Sequence, residues 1–117
     1  MTRVLVVLND PPYGSERSWN GLRLAGELAR TEGVEVRVFC FGDAVGCAVA
    51  GQVVPDGWYH LDRMVAGILH HGSEVGCCGT CLDARAMGAT ALVEGARRAT
   101  LKEASEWVIW ADRVVTF

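Results

Sequence analysis

The sequence predicts a single-domain, three-layer α/β sandwich with a mostly parallel sheet of the flavodoxin- or Rossmann-like kind. Segments with the composition of buried strands alternate with segments of helical periodicity, and the connections between them are short. A length of 117 residues suits one domain, and no internal repeat is present. We therefore assign residues 1–117 to a single domain.

The first strand and helix are the clearest elements. The continuous apolar run over residues 4–8 is typical of a strand buried on both faces of a parallel sheet. Residues 9–14 consist largely of turn-forming types and end that strand, and Ser15 is expected to cap the helix that follows. A second strand is predicted over residues 34–41. A loop that opens into a short helix is expected over residues 42–48.

The second half of the chain continues the alternation. Residues 51–57 have the composition of a linker, and apolar residues at i, i+3, i+4, i+7 and i+8 from Leu61 predict a helix that ends near Gly72. The remaining predicted elements are a strand at 74–77, helical segments at 81–86 and 90–98, a helix from residue 100, and a strand at 113–117.

The last helix carries a capping box, Thr100 followed by Glu103. Its periodicity predicts a buried face and leaves two tryptophans off that face, where they would pack either at a subunit contact or in the core. The residues expected on the buried face are Leu101, Ala104, Val108 and Ala111, and the two tryptophans are Trp107 and Trp110.

Charge and hydropathy exclude several classes of protein. A formal net charge of −3 argues against a nucleic-acid binder, whose surface is basic. The longest uncharged stretch, residues 44–55, is too short to span a bilayer, and the amino terminus does not resemble a signal peptide. We therefore expect a cytoplasmic protein that binds neither nucleic acid nor membrane.

The sequence contains five cysteines, and an odd number in a reducing compartment does not predict a framework of disulfide bonds. Cys40, Cys47 and Cys77 are expected to be core residues, whereas Cys78 and Cys81 have C-x-x-C spacing. That spacing also occurs in zinc sites, but a structural zinc ion needs a second pair of ligands that is not evident here. We therefore expect no metal and no cofactor.

Ligands of parallel sheets bind beyond the carboxyl ends of the strands, where three segments should converge. Cys78 lies where a strand gives way to a helix, and the amides and dipole at a helix start favour the thiolate over the thiol. Cys81, one helical turn on, could attack a sulfur attached to Cys78 or close a disulfide with it. The other candidates are Asp10, Tyr13 and Arg17 in the first segment, Asp43 in the second, and Gly79, Thr80 and Arg85 in the third.

Four separated stretches, residues 9–17, 41–45, 78–85 and 107–117, together resemble the DsrE/DsrF-like family in its YchN-type branch. The resemblance implies a small α/β subunit that assembles into trimers or hexamers. It also implies kinship with sulfur-relay proteins, in which one cysteine carries a persulfide and passes it to a partner.

In that family the sulfur-carrying cysteine is followed seven residues later by arginine and then glycine, which places the role on Cys78 with Arg85. Ala86 stands where the family has glycine. Because alanine disfavours a left-handed turn, we expect the segment after the site to differ in shape.

The leading hypothesis is a cytoplasmic sulfur carrier, a sulfurtransferase or a persulfide carrier, that exchanges sulfur with donor and acceptor proteins. Cys78 would form the persulfide and Cys81 would help to release it, while the other candidate residues would shape the pocket. Two alternatives stay open. One is a non-catalytic binding module within an oligomer, and the other is a dithiol reductase that cycles a Cys78–Cys81 disulfide.

Overall fold

The structure, a computed structural model, describes residues 1–117 and is built around one five-stranded sheet. The strands are β1 (Thr2–Leu8), β2 (Val34–Cys40), β3 (Glu74–Cys78), β4 (Arg97–Ala99) and β5 (Arg113–Thr116). Their spatial order is β4-β3-β2-β1-β5, and each neighbouring pair is parallel. The predicted α/β class is confirmed, and the sheet is wholly parallel.

Helices cover both faces of this sheet. They are α1 (Arg17–Ala29), α2 (Leu61–His70), α3 (Gly79–Ala84) and α4 (Leu101–Trp110), and a 3₁₀ helix spans Gly42–Ala48. Helices α1 and α2 pack together on one face. Helix α4 lies on the other, where the Trp107 ring meets Phe39 edge-on with centroids 5.7 Å apart. No helix combines the length and the apolar composition that crossing a bilayer requires.

Several boundaries differ from the sequence prediction by one or two residues. Helix α1 begins at Arg17, so its cap is Glu16, whose side chain makes no capping hydrogen bond, and the predicted cap at Ser15 is wrong. The Ser15 hydroxyl lies just before the helix, accepting from the Arg17 amide at 3.3 Å and donating to Asp10. Strand β2 ends at Cys40, and β3 continues through Cys78. The longer β3 makes Cys78 both the last residue of a strand and the cap of a helix.

The helical segment predicted at 90–98 is wrong, because this part of the chain forms a turn and then β4. Gly95 adopts a left-handed conformation with φ of 97°, and the following residues pair with the edge of β3. The Arg97 guanidinium then reaches Glu74 at 3.1 Å and Glu103 at 3.0 Å. Pairing with β3 and these ion pairs override the local helical propensity, which is a weak signal on its own.

Helix α4 also presents a different face from the predicted one. Thr100 caps it as predicted, accepting from the Glu103 amide at 3.1 Å. Ala104 and Trp107 are buried, whereas Leu101 and Val108 are exposed. The large ring of Trp107 fills the space above Gly76, where an added methyl would lie 3.2 Å from that ring, so this face turns inward.

Candidate functional site

Three loops meet at the carboxyl edge of the sheet, as the topology predicted. The 3₁₀ helix after β2 lies between the loop after β1 and helix α3 after β3. On one side the Cys47 thiol lies 3.9 Å from the Asp10 carbonyl oxygen, to which it donates. On the other side the Asp43 carboxylate contacts Arg85 at 2.8 Å. The candidate residues therefore occupy one rim of the molecule.

Cys78 stands at the turn between β3 and α3. Its Sγ accepts a hydrogen bond from the Cys81 backbone N–H at 3.4 Å, so the sulfur caps the helix in place of the usual oxygen. Residue Cys78 retains 8% of its surface exposed, and Cys81 is half-buried one turn away. The two thiols therefore share one small area of the rim.

The pKa of Cys78 is raised, contrary to the lowered value expected from its position. Burial raises the pKa of this thiol most, the neighbouring Cys81 thiol adds to that, and the amides of Cys81 and Thr80 offset only part of the rise. Helix α3 has six residues, so few peptide dipoles add to the field at its start. Burial of the Cys78 side chain therefore opposes its ionisation more than the amides at the helix start favour it.

Arg85 links α3 to the 3₁₀ helix. Its Nε donates to Asp43 Oδ1 at 2.8 Å and its Nη1 donates to the Cys81 carbonyl oxygen at 3.1 Å. The guanidinium therefore fixes the position of Cys81, and it places positive charge beside the segment that carries both thiols.

The turn after α3 keeps the left-handed geometry despite its alanine. Ala86 is the one non-glycine residue with positive φ, 57°. Its amide donates to the Asp83 carbonyl at 3.1 Å, and the Met87 amide donates to the Leu82 carbonyl at 2.8 Å, which is the pattern of a Schellman cap. The expectation that Ala86 reshapes this segment is therefore wrong, and the cap hydrogen bonds hold the alanine in a strained conformation.

Arg98 is a site residue that sequence reasoning missed. Its guanidinium forms a two-pronged ion pair with Asp83, with distances of 2.8 and 2.6 Å, and lies against the backbone of Gly79. The proximity depends on the pairing of β4 with β3, and the prediction of a helix at 90–98 concealed that pairing. The spacing between Gly79 and Arg98 gives no signal of its own.

The first loop forms separate contacts. The Arg17 Nε lies 4.0 Å from the Asp10 carboxylate, which also accepts from Ser15. The Tyr13 hydroxyl donates to the Gln52 side chain at 2.6 Å and accepts from the Leu61 amide at 3.4 Å. Tyr13 thus anchors the linker before α2. Gly79 and Thr80 lie between the two cysteines at the start of α3, and Arg85 joins Cys81 to Asp43.

Two depressions lie away from Cys78. One, of about 620 Å³, is an open groove between α1 and α2. The other, of about 330 Å³, borders the first loop and is lined by Pro12, Tyr13, Gly14, Ser15, Glu16, Trp58 and Tyr59. Neither depression is lined by Cys78 or Cys81, so both thiols lie on the rim outside these depressions.

The other three cysteines are fully buried, with Cys47 in the 3₁₀ helix itself. Cys40 and Cys77 are register partners on adjacent strands. Burial raises the pKa of Cys47 to about 12. No group of three or more histidine, cysteine, aspartate or glutamate side chains is arranged to hold a metal ion. These three thiols therefore behave as small apolar core residues.

Comparison with known proteins shows that the similarity covers almost the whole chain. Residues 2–117 match the DsrE/DsrF-like family. The chain is 36% identical to Protein YchN of Escherichia coli over 118 residues, covering 100% of both proteins. It is 34% identical to protein MK0008 of Methanopyrus kandleri over 114 residues, covering 97% of this chain and 93% of that protein.

Solved structures agree with these sequence relationships. The crystal structure of YchN from E. coli has a TM-score of 0.94 to this structure, with 100% of each chain covered and 36% identity. Protein MTH1491 from Methanobacterium thermoautotrophicum, at 17% identity and full coverage of both chains, has a TM-score of 0.74 and shares the fold. From its sequence and its architecture, the chain belongs to the DsrE/DsrF-like family.

Proposed function

We propose that this protein is a cytoplasmic sulfur carrier in which Cys78 holds a persulfide and passes its outer sulfur to a partner protein. The observation that carries the proposal is the hydrogen bond from the Cys81 amide to Cys78 Sγ, at the end of β3 and with Cys81 one turn away. The resemblance to sulfur-relay proteins supports the same residue. A rim site outside the cavities suits transfer between proteins.

Loading is an exchange at sulfur. The Cys78 thiolate attacks the outer sulfur of a donor persulfide, so that a new S–S bond forms at Cys78 while the S–S bond of the donor breaks. The donor cysteine leaves as a thiolate and takes up the proton that Cys78 loses, and no net oxidation occurs. Because the pKa of Cys78 is raised, we expect deprotonation to accompany docking of the donor.

Release can follow two balanced routes. In the first, an acceptor thiolate attacks the outer sulfur and restores the Cys78 thiol. In the second, the Cys81 thiolate attacks Cys78 Sγ and expels hydrosulfide, which leaves a Cys78–Cys81 disulfide for an external dithiol to reduce. The position of Cys81 one turn along α3 favours this second route when no acceptor is bound.

Mass spectrometry after incubation with a persulfide donor tests the proposal. The wild type and Cys81→Ser should each gain the mass of one sulfur atom on Cys78, and Cys78→Ser should gain none. Equal uptake by Cys78→Ser and the wild type would sink the carrier proposal. A Cys78–Cys81 disulfide that cycles without persulfide would identify a dithiol reductase instead, and partner binding that survives both serine variants would identify a binding module.

We also propose that the chain works as a homo-oligomer, a trimer or hexamer, that uses the outer face of α4. Ile109 is 84% exposed, and Val108 and Leu101 are exposed on the same helix. Exposed apolar side chains on adjacent turns are typical of a subunit contact. Light scattering should show that Ile109→Asp lowers the molecular mass in solution, whereas Val53→Asp, a change at an equally exposed apolar residue of the linker, should not.

A further inference from the structure

We propose that the depression beside the first loop is a docking site for an arginine side chain of the partner protein, with Trp58 as an aromatic wall and Glu16 as the counter-charge. The inference rests on the proposed function, because the partner is a protein that docks at the rim to exchange sulfur. The site lies outside the C-x-x-C segment and touches neither of its cysteines.

Three of the four tryptophans of this chain hold an arginine guanidinium of the same chain over their rings. The distances from the guanidinium carbon to the ring centre are 4.5 Å for Arg23 on Trp19, 4.1 Å for Arg37 on Trp110 and 5.4 Å for Arg97 on Trp107. Trp58 differs from these three. No cation of the chain lies over its ring, no aromatic ring packs against it, and 58% of its surface is exposed. A cation of another molecule can therefore take the position over Trp58 that this chain fills at its other tryptophans.

The walls of the depression attract a cation. Its volume is about 330 Å³, and Trp58, Tyr59 and Glu16 line it together with residues 12–15, which include no arginine, lysine or histidine. Aromatic rings carry partial negative charge on their faces, and Glu16 adds a full negative charge. The Tyr59 hydroxyl donates to the Glu16 carboxylate at 3.4 Å, which keeps this carboxylate beside the rings.

The charged groups on the neighbouring elements do not change this sign. The Asp10 carboxylate accepts from Ser15 and lies 4.0 Å from the Arg17 Nε, so these two charges offset each other. The start of α1 carries partial positive charge, and Glu16, the capping residue of that helix, offsets it. The depression therefore favours a cation over an anion.

Two of the walls are held in place before any ligand arrives. The Tyr59 ring stacks on Trp19, with centroids 4.3 Å apart and an angle of 18° between the planes. The Tyr13 hydroxyl donates to the Gln52 side chain at 2.6 Å and lies 3.1 Å from the Tyr59 carbonyl oxygen. A site whose walls are already ordered loses little conformational entropy on binding.

Arginine is the cation that these walls suit best. Its guanidinium is planar and weakly hydrated, so it stacks on an aromatic face while its N–H groups donate to a carboxylate. A lysine ammonium is more strongly hydrated and has no planar surface to stack. Trp58 can supply the aromatic face, and Glu16 can supply the carboxylate.

The depression and the thiols flank the same 3₁₀ helix. At one side Pro12 abuts this helix, since a methyl group on Gly46 would lie 3.1 Å from Pro12 Cδ. At the other side Asp43 of the helix contacts Arg85 at 2.8 Å. A seven-residue 3₁₀ helix is roughly 12–14 Å long, and a typical interface buries about 800 Å² on each partner. One docked protein can therefore cover both the depression and Cys78.

An NMR titration of the ¹⁵N-labelled protein with N-acetyl-arginine amide tests the site. The indole signal of Trp58 and the backbone signals of residues 13–16 should shift and saturate, whereas those of Trp107 and Trp110 on the other face of the sheet should stay in place. N-acetyl-citrulline amide, in which a neutral urea replaces the guanidinium, should bind about three- to tenfold more weakly.

Variants separate the ring from the carboxylate. Trp58→Leu keeps an apolar side chain but removes the aromatic face, and it should lower the affinity for the arginine probe about two- to fivefold. Glu16→Gln should lower this affinity about two- to threefold. Glu32→Gln, the same change of charge at an exposed glutamate outside the depression, should leave it unchanged.

Equal affinity of the wild type for the arginine and citrulline probes overturns the inference, and this comparison does not depend on the folding of any variant. Equal losses in Glu16→Gln and Glu32→Gln also overturn it. Tetramethylammonium that binds more tightly than the arginine probe identifies a small quaternary cation as the occupant, and a lower molecular mass of Trp58→Leu in light scattering identifies a second copy of this chain. Either result overturns the arginine site.

Sulfur loading of Cys78 from a low-molecular-weight persulfide is measured in parallel by mass spectrometry. Trp58→Leu and Glu16→Gln should load as the wild type does, because the depression does not include Cys78. Loading without binding of the arginine probe leaves the carrier standing and removes the docking site. Binding of the probe by a protein that never loads sulfur supports the arginine site and removes the carrier.

Discussion

Replacing Ala86 by glycine should stabilise the protein, because Ala86 occupies a backbone conformation that favours glycine. Its φ of 57° lies in the left-handed region, where a residue with a Cβ costs roughly 1–2 kcal/mol relative to glycine. Glycine also has more freedom in the unfolded chain, which returns about 0.4–1 kcal/mol of that gain. The net increase in the free energy of unfolding is about 0.5–1 kcal/mol.

Urea unfolding followed by tryptophan fluorescence measures this change, and the melting temperature should rise by roughly 2–5 °C. Ala84→Gly is the matched control, since Ala84 is exposed in the last turn of α3 with right-handed geometry. That control should lose about 0.5–1 kcal/mol, because glycine weakens a helix. A loss of stability in Ala86→Gly comparable to that of Ala84→Gly would refute the assignment of a strained Schellman cap.

Three further predictions concern packing, titration and the linker. Gly21→Ala should lower the free energy of unfolding by about 1–2 kcal/mol, because the added methyl group would overlap a buried leucine of β1. Gly67→Ala should raise the free energy of unfolding by about 0.5–1 kcal/mol, because Gly67 lies in a helix with open space around it. Both changes are measured from the midpoints of urea unfolding. The pKa of Cys47 is about 12 against a usual 9.0, so its contribution to stability is complete below pH 9 and falls as pH rises toward 12. Between these two pH values the free energy of unfolding falls by at most roughly 1.4 kcal/mol per pH unit. In Cys47→Ala, the free energy of unfolding measured with urea should therefore fall less steeply as the pH rises. Tyr13→Phe should lower the unfolding free energy by about 0.5–1.5 kcal/mol in the same assay, since it removes the half-buried hydrogen bonds of the hydroxyl, and an unchanged midpoint would argue against that anchoring role.

The architecture could be predicted because its signals are local. The apolar run of β1 and the helical spacing from Leu61 are visible within short windows, and parallel connectivity follows from the alternation of strands and helices. Strand β4 escaped prediction because its three residues become a strand only by pairing with β3. The inward face of α4 was misassigned for a similar reason, since the packing of Trp107 over Gly76 is a property of the assembled sheet.

The features of the candidate site can also be divided into those that follow from the sequence and those that depend on the assembled fold. The position of the two cysteines, the convergence of three loops and the sequence match at Arg85 all follow from order along the chain. The ionisation of Cys78 does not, because it depends on how deeply the thiol is buried and on how close the Cys81 thiol lies to it. A short motif locates the candidate cysteine but not the surroundings that set its ionisation.

Neighbouring residues of a strand project to opposite faces, and at the end of β3 this alternation separates Cys77 from Cys78. Cys77 lies with two other thiols in the sealed interior, whereas Cys78 reaches the rim. The sheet thus acts as a partition between two thiol populations only one peptide bond apart. A thiol reagent in solution therefore meets the cysteines of the rim first, and Cys40, Cys47 and Cys77, which have no exposed surface, are expected to stay unmodified while the protein is folded.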